Sequence, residues 1–141
     1  MVEVFPFEKR NWYPHMMPAD VAIWERFIEK KPNAYDNVSY DVKVGSAPEF
    51  DTTVNAESGG KAEDLYKKKI DVVGYKGAEI DIIELKPRAG QSALGQVKGY
   101  GQLYIRDYSP PEQPNLVLIT DVLLPDMDFL AEAENIRLIV V

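Results

Sequence analysis

Two acidic residues and a lysine lie on neighbouring segments that alternate apolar and polar side chains, a pattern typical of a β-hairpin. Asp71 belongs to the first segment, and Glu84 and Lys86 belong to the second. The turn signal Lys76-Gly77 serves as a two-residue loop and pairs Asp71 with Ile82. In that register Asp71, Glu84 and Lys86 share one face. Diagonal neighbours are about 7 to 8 Å apart, so the two carboxylates can hold one small, hard cation.

The predicted face is otherwise apolar, with Val73, Ile80 and Ile82 as its other members. A charge placed on such a face needs a partner or a metal ion. Asp81 falls on the opposite face and is left out of the predicted site. The simpler interpretation is a pair of ordinary ion pairs with neighbouring lysines, which are common on solvated faces and contribute little to stability.

Composition excludes several other kinds of chemistry. The chain has 141 residues, 45% of them apolar, which predicts a single domain over residues 1–141 with one proper core. It has no cysteine and only one histidine, His15, so thiolate and histidine-rich metal sites are ruled out. No segment resembles a membrane span or a secretory signal, and we expect an intracellular, cytoplasmic protein. The net charge of -7 is the wrong sign for broad phosphate binding.

Periodicity predicts an α/β domain in which a central mixed sheet is flanked by helices, in the order αβββαβ with a further C-terminal αβ unit. An extended, proline-rich arm covers residues 1–18, and a polar loop covers residues 46–61. Between and after them the predicted elements are a helix at 19–31, a strand at 35–44, the hairpin, a helix at 92–108, a strand at 115–120, a helix at 126–134 and a strand at 136–141.

In this order, Asp71 followed by Glu84-Leu85-Lys86 resembles the motif of the PD-(D/E)xK nuclease superfamily. The proline of that motif is missing, since Lys69 and Ile70 precede Asp71. The resemblance implies a restriction-endonuclease-like core of three layers, in which a helix, a three-stranded meander, a helix and a strand follow one another.

A second motif strengthens the resemblance. Gln96 and Tyr100, four residues apart on one helix face, resemble the Gln-x-x-x-Tyr signature of the RecB-like branch. Residues 92–96, with the basic linker that contains Arg88, are also similar to the nuclease domain of archaeal mismatch endonucleases. Together the matching positions span residues 69–104.

The superfamily also implies that the helix at 19–31 presents a Glu to the metal. Glu25 and Glu29 are the candidates, and Glu25 is preferred because it lies nearer the apolar stripe of Val21, Trp24 and Ile28 on a helical wheel.

The resemblance assigns roles to these residues. Asp71, Glu84 and the Leu85 carbonyl would hold Mg²⁺ or Mn²⁺, with Glu25 contributing directly or through water. Lys86 would orient or deprotonate the attacking water, or stabilise the phosphate. Gln96 would position water or phosphate, and Tyr100 would pack and hydrogen-bond beside it.

The function implied is that of a metal-dependent DNA endonuclease that hydrolyses phosphodiester bonds in single-stranded, flapped or branched DNA. Lys69, Arg88 and Lys98 are the predicted contacts to the nucleic acid. One alternative is a catalytically inactive nuclease-fold protein with a structural or adaptor role in a phage or mobile element. Another is a junction resolvase acting as a homodimer, which the acidic charge disfavours unless a partner protein supplies basic surface.

Overall fold

The protein, described from a computed structural model, folds as an α/β structure over residues 2–47 and 67–141. Most of the predicted polar loop, residues 48–61, lies outside these ranges. The helices are α1 (Pro18–Lys30), α2 (Gln91–Tyr108) and α3 (Met127–Ala133). The strands are β1 (Phe5–Pro6), β2 (Asn37–Val44), β3 (Lys68–Lys76), β4 (Glu79–Leu85), β5 (Asn115–Thr120) and β6 (Ile136–Val140).

The six strands form one mixed sheet in chain order from β1 to β6. Pairing is antiparallel from β1 through β4, and β5 and β6 then join in parallel. The predicted mixed sheet and the order of elements are confirmed. The arm was predicted to lack regular structure, but its Phe5–Pro6 segment pairs with β2 and forms a short edge strand.

Helices cover both faces of the sheet and so produce three layers. On one face α1 buries Ile23, Trp24, Phe27 and Ile28 against one side of the central strands. These residues recur with the helical period that predicted α1, and each buried side chain contributes on the order of 1.5 to 3 kcal/mol. On the other face α2 and α3 pack against the alternate residues of the same strands, including Val73, Ile82 and Leu118.

The register of the β3–β4 hairpin differs from the predicted one. Lys76 pairs with Glu79, so the turn is formed by Gly77 and Ala78 rather than by Lys76-Gly77. Gly77 has a φ of +58°, which glycine adopts without strain at the first central position of a tight hairpin turn. Its N–H donates to Asp36 at 2.8 Å. The correction moves the pairing by two residues and therefore keeps every side chain on its predicted face.

β2 changes faces at Asp41. Val38 and Tyr40 pack in the core under α1, whereas Val42 and Val44 pack in the core under α2. In a regular strand these alternate residues would share one face. The change occurs at Asp41 because this residue is in the left-handed region with a φ of +54°. Within residues 2–47 and 67–141, no helix is long and apolar enough to cross a membrane.

Candidate active site

Asp71 and Glu84 lie beside one another where β3 and β4 begin to separate. The last regular pair of the ladder is Val72 with Ile83, so the next position places Asp71 directly opposite Glu84. The prediction of a diagonal arrangement was therefore wrong, and the true relation is closer, at about 4.5 to 5.5 Å between Cβ atoms. Beyond this point Leu85 N–H donates to Asp71 Oδ2 at 2.9 Å instead of to a strand carbonyl.

Glu84 is buried and incompletely satisfied. Its residue surface is 8% exposed, and its carboxyl is in hydrogen-bonding contact with that of Asp71. Its Oε2 atom has no hydrogen-bond partner within the described residues. A buried oxygen without a donor is rare in folded proteins and marks a place where a missing ligand would bind.

The two carboxyl groups have strongly raised pKa values. Burial raises the pKa of Glu84 to about 9, and the charge of Asp71 adds to this effect. Burial also raises the pKa of Asp71 to about 6, against the opposing hydrogen bond from Leu85 N–H, and the charge of Asp20 raises it further. Close carboxylates in a site poor in water cannot both ionise at low cost. Without a cation the pair therefore retains a proton near neutral pH.

The donor set fits a hard divalent cation in its chemistry. Mg²⁺ and Mn²⁺ prefer carboxylate oxygens as protein ligands. The two carboxyl groups provide such oxygens, and one of them, Glu84 Oε2, has no donor within the described residues. The pair supplies two acids only, because no three His, Asp or Glu side chains of residues 2–47 and 67–141 form a ready metal cluster. After burial, the charge of Asp20 in the first turn of α1 is among the causes that raise the pKa of Asp71 and Glu84.

Glu25 and Glu29, the two acids that the sequence predicted from α1, have partners on the N-terminal arm. Glu25 accepts a hydrogen bond from Tyr13 at 3.0 Å, and Glu29 pairs with Lys9. The helical wheel favoured Glu25 because it measures distance from the apolar stripe and ignores position along the helix. The first turn of α1, which contains Asp20, is the part that approaches the acid pair.

Lys86 follows directly after β4 and is exposed. Its backbone N–H donates to the Ile119 carbonyl at 3.0 Å and so ties the start of the next loop to β5. The charge of Lys86 lowers the pKa of Glu84, which shows that the ammonium group lies within electrostatic reach of the acid pair. Asp71 and Glu84 lie together as predicted, and the placement of the Lys86 ammonium group beside them stays a prediction.

Gln96 and Tyr100 approach the same acids from α2. Their side chains are hydrogen-bonded to one another. Burial raises the pKa of Tyr100, and the charges of Glu84 and Asp71 raise it further. The four-residue spacing thus places an amide and a phenol beside the carboxyl groups, as the sequence predicted.

Arg88, Lys69 and Lys98, the three predicted contacts to nucleic acid, differ in their exposure and in their partners. Arg88 is exposed and close in sequence to the acid pair, on a backbone with a φ of +45° whose N–H donates to Asp121 at 2.8 Å. Lys69 lies on β3 directly opposite Lys43, and two like charges in this relation repel unless an anion lies near them. Lys98 is directed elsewhere, to an ion pair at 2.6 Å with Glu134 after α3.

Asp41 is a residue near the site that sequence reasoning missed. It stands opposite Asp71 in the β2–β3 register, between the pairs Tyr40–Val72 and Val42–Ile70. Its charge raises the pKa of Asp71. No sequence signal marked it, because a polar residue in an alternating strand is ordinary.

Asp81 lies on the opposite face and is fully paired. Its carboxylate accepts hydrogen bonds from Tyr35 at 2.6 Å and from Asn115 at 2.9 Å, and it forms an ion pair with Arg137. This network holds β4 to β5 and β6 and leaves no oxygen for a ligand. Omitting Asp81 from the site agrees with this geometry.

The mixed sheet with helices on both faces defines a three-layer α/β fold. A solved structure described as an EndoMS–dsDNA2 complex is similar to this chain, with a TM-score of 0.51 and 16% sequence identity. The similarity covers 94% of this chain and 48% of the solved one, so this chain spans about half the length of that protein. No protein-family model matches the sequence, and no curated protein does.

Proposed function

We propose that this protein is a Mg²⁺- or Mn²⁺-dependent endonuclease that hydrolyses phosphodiester bonds in DNA. The observation that carries the proposal is the buried Glu84 carboxyl beside Asp71, with an Oε2 atom that has no donor among the described residues. An arrangement that is costly for folding and suited to a cation is typical of a functional site. The similarity in fold to a protein solved with DNA supports the choice of substrate class.

Each residue of the site has a distinct task. Asp71, Glu84 and the Leu85 carbonyl would hold the metal, and Asp20 would act on it through water. When bound there, such a cation would offset charge on the scissile phosphate and lower the pKa of a water molecule. The ligand groups are preorganised in the chain, because the hydrogen bond from Leu85 N–H holds the Asp71 carboxylate in place.

Lys86, Gln96 and Tyr100 act on the water and the phosphate. Lys86 is exposed and follows Glu84 by two residues, so its ammonium group can donate to the attacking water or to a phosphoryl oxygen. Gln96, held by Tyr100, offers an amide that positions the water or the phosphate.

Electrostatics limit how the DNA is held. With a net charge of -7, affinity comes from few local contacts, for which Lys69 and Arg88 are the candidates. We propose single-stranded, flapped or branched DNA, which can enter a local site without a broad basic surface. A second copy of the chain or a protein partner can supply further positive surface.

The same net charge favours a second candidate, a nuclease-fold protein without catalysis that serves as a structural or adaptor subunit of a phage or mobile element. The complete set of Asp71, Glu84, Lys86 and Gln96 counts against it. Metal dependence separates the two, because an adaptor has no need for Mn²⁺ at these acids.

The experiment is a cleavage assay on single-stranded, duplex, flap and four-way DNA with Mg²⁺ or Mn²⁺. We expect wild-type cleavage of at least one of these substrates. Asp71→Asn, Glu84→Gln and Lys86→Ala should each lower its rate by about a thousandfold, because each removes a metal ligand or a donor to the reacting groups. Glu79→Gln is the control, an exposed acid at the hairpin turn. Unchanged cleavage in all three site variants would rule the proposal out.

A further inference from the structure

The segment before α1 is held in place by hydrogen bonds at both of its ends. Tyr13 is buried, its hydroxyl accepts a hydrogen bond from Arg10 N–H at 2.9 Å, and the same hydroxyl donates to Glu25. Four residues later Met17 N–H donates to Asp20 at 3.2 Å, at the start of α1. Residues 14–16 are therefore fixed at both ends, by the contact of Tyr13 with Glu25 and by that of Met17 with Asp20.

His15 projects from this segment onto Asp41. Its Nε2 atom lies 3.3 Å from Asp41 Oδ2, and its side chain is 65% exposed while that of Asp41 is 15% exposed. It is the only histidine in the sequence. One side of the imidazole is thus held by a largely buried carboxylate, and the rest of the ring faces solvent.

Both members of this contact have strained backbones. His15 has a φ of +56° and Asp41 a φ of +54°, a region that non-glycine residues adopt at a cost on the order of 1 to 3 kcal/mol each. An exposed ion pair contributes only about 0 to 1 kcal/mol. The ion pair therefore contributes less free energy than the two strained backbones cost. Backbone strain that is not offset locally is common at binding sites.

The contact also lies next to the reacting groups. Asp41 stands opposite Asp71 across the β2–β3 pair, and Asp71 stands opposite Glu84 across the next pair. Asp41, Asp71 and Glu84 thus occupy neighbouring positions on β2, β3 and β4. His15, on the N-terminal arm, contacts Asp41. A DNA strand with its phosphate at the acid pair would bring a neighbouring phosphoryl oxygen toward this ring.

We infer that His15 is a substrate-contacting residue, which donates a hydrogen bond to a phosphoryl oxygen of the DNA strand beside the acid pair. Asp41 is its positioning residue. A protonated imidazole has two N–H donors, so Nε2 can donate to Asp41 while Nδ1 donates to the phosphate. The inference rests on the proposed function and adds a contact from the N-terminal arm to it.

The test is the affinity for a fluorescent single-stranded or flap oligonucleotide, measured by anisotropy with Ca²⁺ in place of Mg²⁺. His15→Ala should raise the Kd about tenfold, through loss of a charge-assisted hydrogen bond. His15→Asn should raise it less than about threefold, because asparagine tolerates a left-handed backbone and retains an amide donor. Lys9→Ala is the matched control on the arm, since Lys9 pairs with Glu29.

The outcomes separate this inference from the proposed function. Equal affinity of wild type and His15→Ala overturns the role of His15 even if the protein cleaves DNA. Loss of the Mn²⁺-induced rise in Tm in His15→Ala also overturns it, because His15 would then act on the metal. A wild type that binds but does not cleave contradicts the nuclease proposal and leaves the contact of His15 supported by the affinity change. No binding by the wild type contradicts both.

Discussion

Asp81 and Glu84 are both buried, but they differ in whether their carboxylate oxygens accept hydrogen bonds. Asp81 accepts hydrogen bonds from Tyr35 and Asn115 and pairs with Arg137, so its burial is compensated. Glu84 is as deeply buried, yet it shares its contact with another acid and leaves Oε2 without a donor. The first kind holds strands together, and the second leaves a buried acceptor unsatisfied at a cost in stability.

This difference predicts how stability varies with pH. Folding raises the pKa of Glu84 from 4.5 to about 9 and that of Asp71 from 3.8 to about 6. A carboxyl group with a higher pKa in the folded chain takes up protons on folding, so its contribution to stability decreases as pH rises between the two values. We expect the metal-free protein to lose stability between about pH 5 and pH 9 on account of this pair.

Urea unfolding in EDTA at pH 5, 7 and 9 measures this effect. Glu84→Gln should flatten the pH dependence and raise the free energy of unfolding at pH 8 by about 1 to 3 kcal/mol, since it removes the ionisable group. Glu79→Gln, on the exposed turn, should retain the wild-type dependence. A Glu84→Gln protein that is less stable than the wild type at pH 8 would show that this carboxyl is satisfied in the folded state.

At the scale of elements, the hairpin and the two long helices decide where the site forms. β3 and β4 bring the acids together, the first turn of α1 adds Asp20, and α2 adds Gln96 and Tyr100. The centre of the hairpin is held by a close contact at Gly74, where an added Cβ would lie 2.5 Å from a ring carbon of Tyr35. Tyr35 cannot move aside easily because it is buried and bonded to Asp81.

Gly74→Ala should therefore lower the free energy of unfolding by about 1 to 3 kcal/mol, through overpacking in the sheet. Gly95→Ala is the matched control within α2, because no atom lies within 4 Å of its added Cβ. That change should raise stability by about 0.5 to 1 kcal/mol, since alanine favours the helix over glycine. Thermal unfolding measures both, and a stable Gly74→Ala protein would mean that Tyr35 can repack.

Much of this architecture follows from local sequence signals. The periods of α1, α2 and the strands are strong, and they give the order of elements and the faces of Asp71 and Glu84. The register was wrong by two residues because Gly77 fits the first central position of the turn and Asp36, distant in sequence, accepts its N–H. An even shift preserves side-chain faces, so the predicted grouping survived the error.

Asp20 and Asp41 could not be predicted in the same way. Asp20 is identified by where the end of α1 lies over the sheet, which depends on packing between distant segments. Asp41 depends on a left-handed residue in β2 that reverses the faces of the strand, and nothing in its neighbours' types indicates this. Sequence periodicity describes regular elements, and these two residues lie at the end of one and at a break in another.

At the scale of the whole molecule, charge distribution limits the interaction with DNA. The net charge is -7, and Lys98 is already paired with Glu134. Among residues 2–47 and 67–141, the basic groups proposed to contact phosphates near the acids are Lys69, Lys86 and Arg88. Affinity should thus depend only weakly on salt concentration.

We expect the logarithm of the association constant to fall with the logarithm of salt concentration with a slope of about -2 for single-stranded DNA, at roughly 0.7 per phosphate contact. Arg88→Ala should make the slope shallower by about 0.7, and Lys98→Ala should leave it unchanged. Titrations at several NaCl concentrations measure it. A slope steeper than about -6 would reveal a broad basic surface, as expected for a resolvase-like homodimer.

The bond from Leu85 N–H to Asp71 makes the two acids unequal in how freely they can be replaced. Loss of the Asp71 carboxyl leaves a backbone amide without its acceptor, whereas loss of the Glu84 carboxyl removes an unsatisfied oxygen. A lineage of this fold released from the need for catalysis would therefore lose Glu84 early and keep Asp or Asn at position 71. The hydrogen bonds of the two acids therefore predict the order in which they would be lost from an inactive relative.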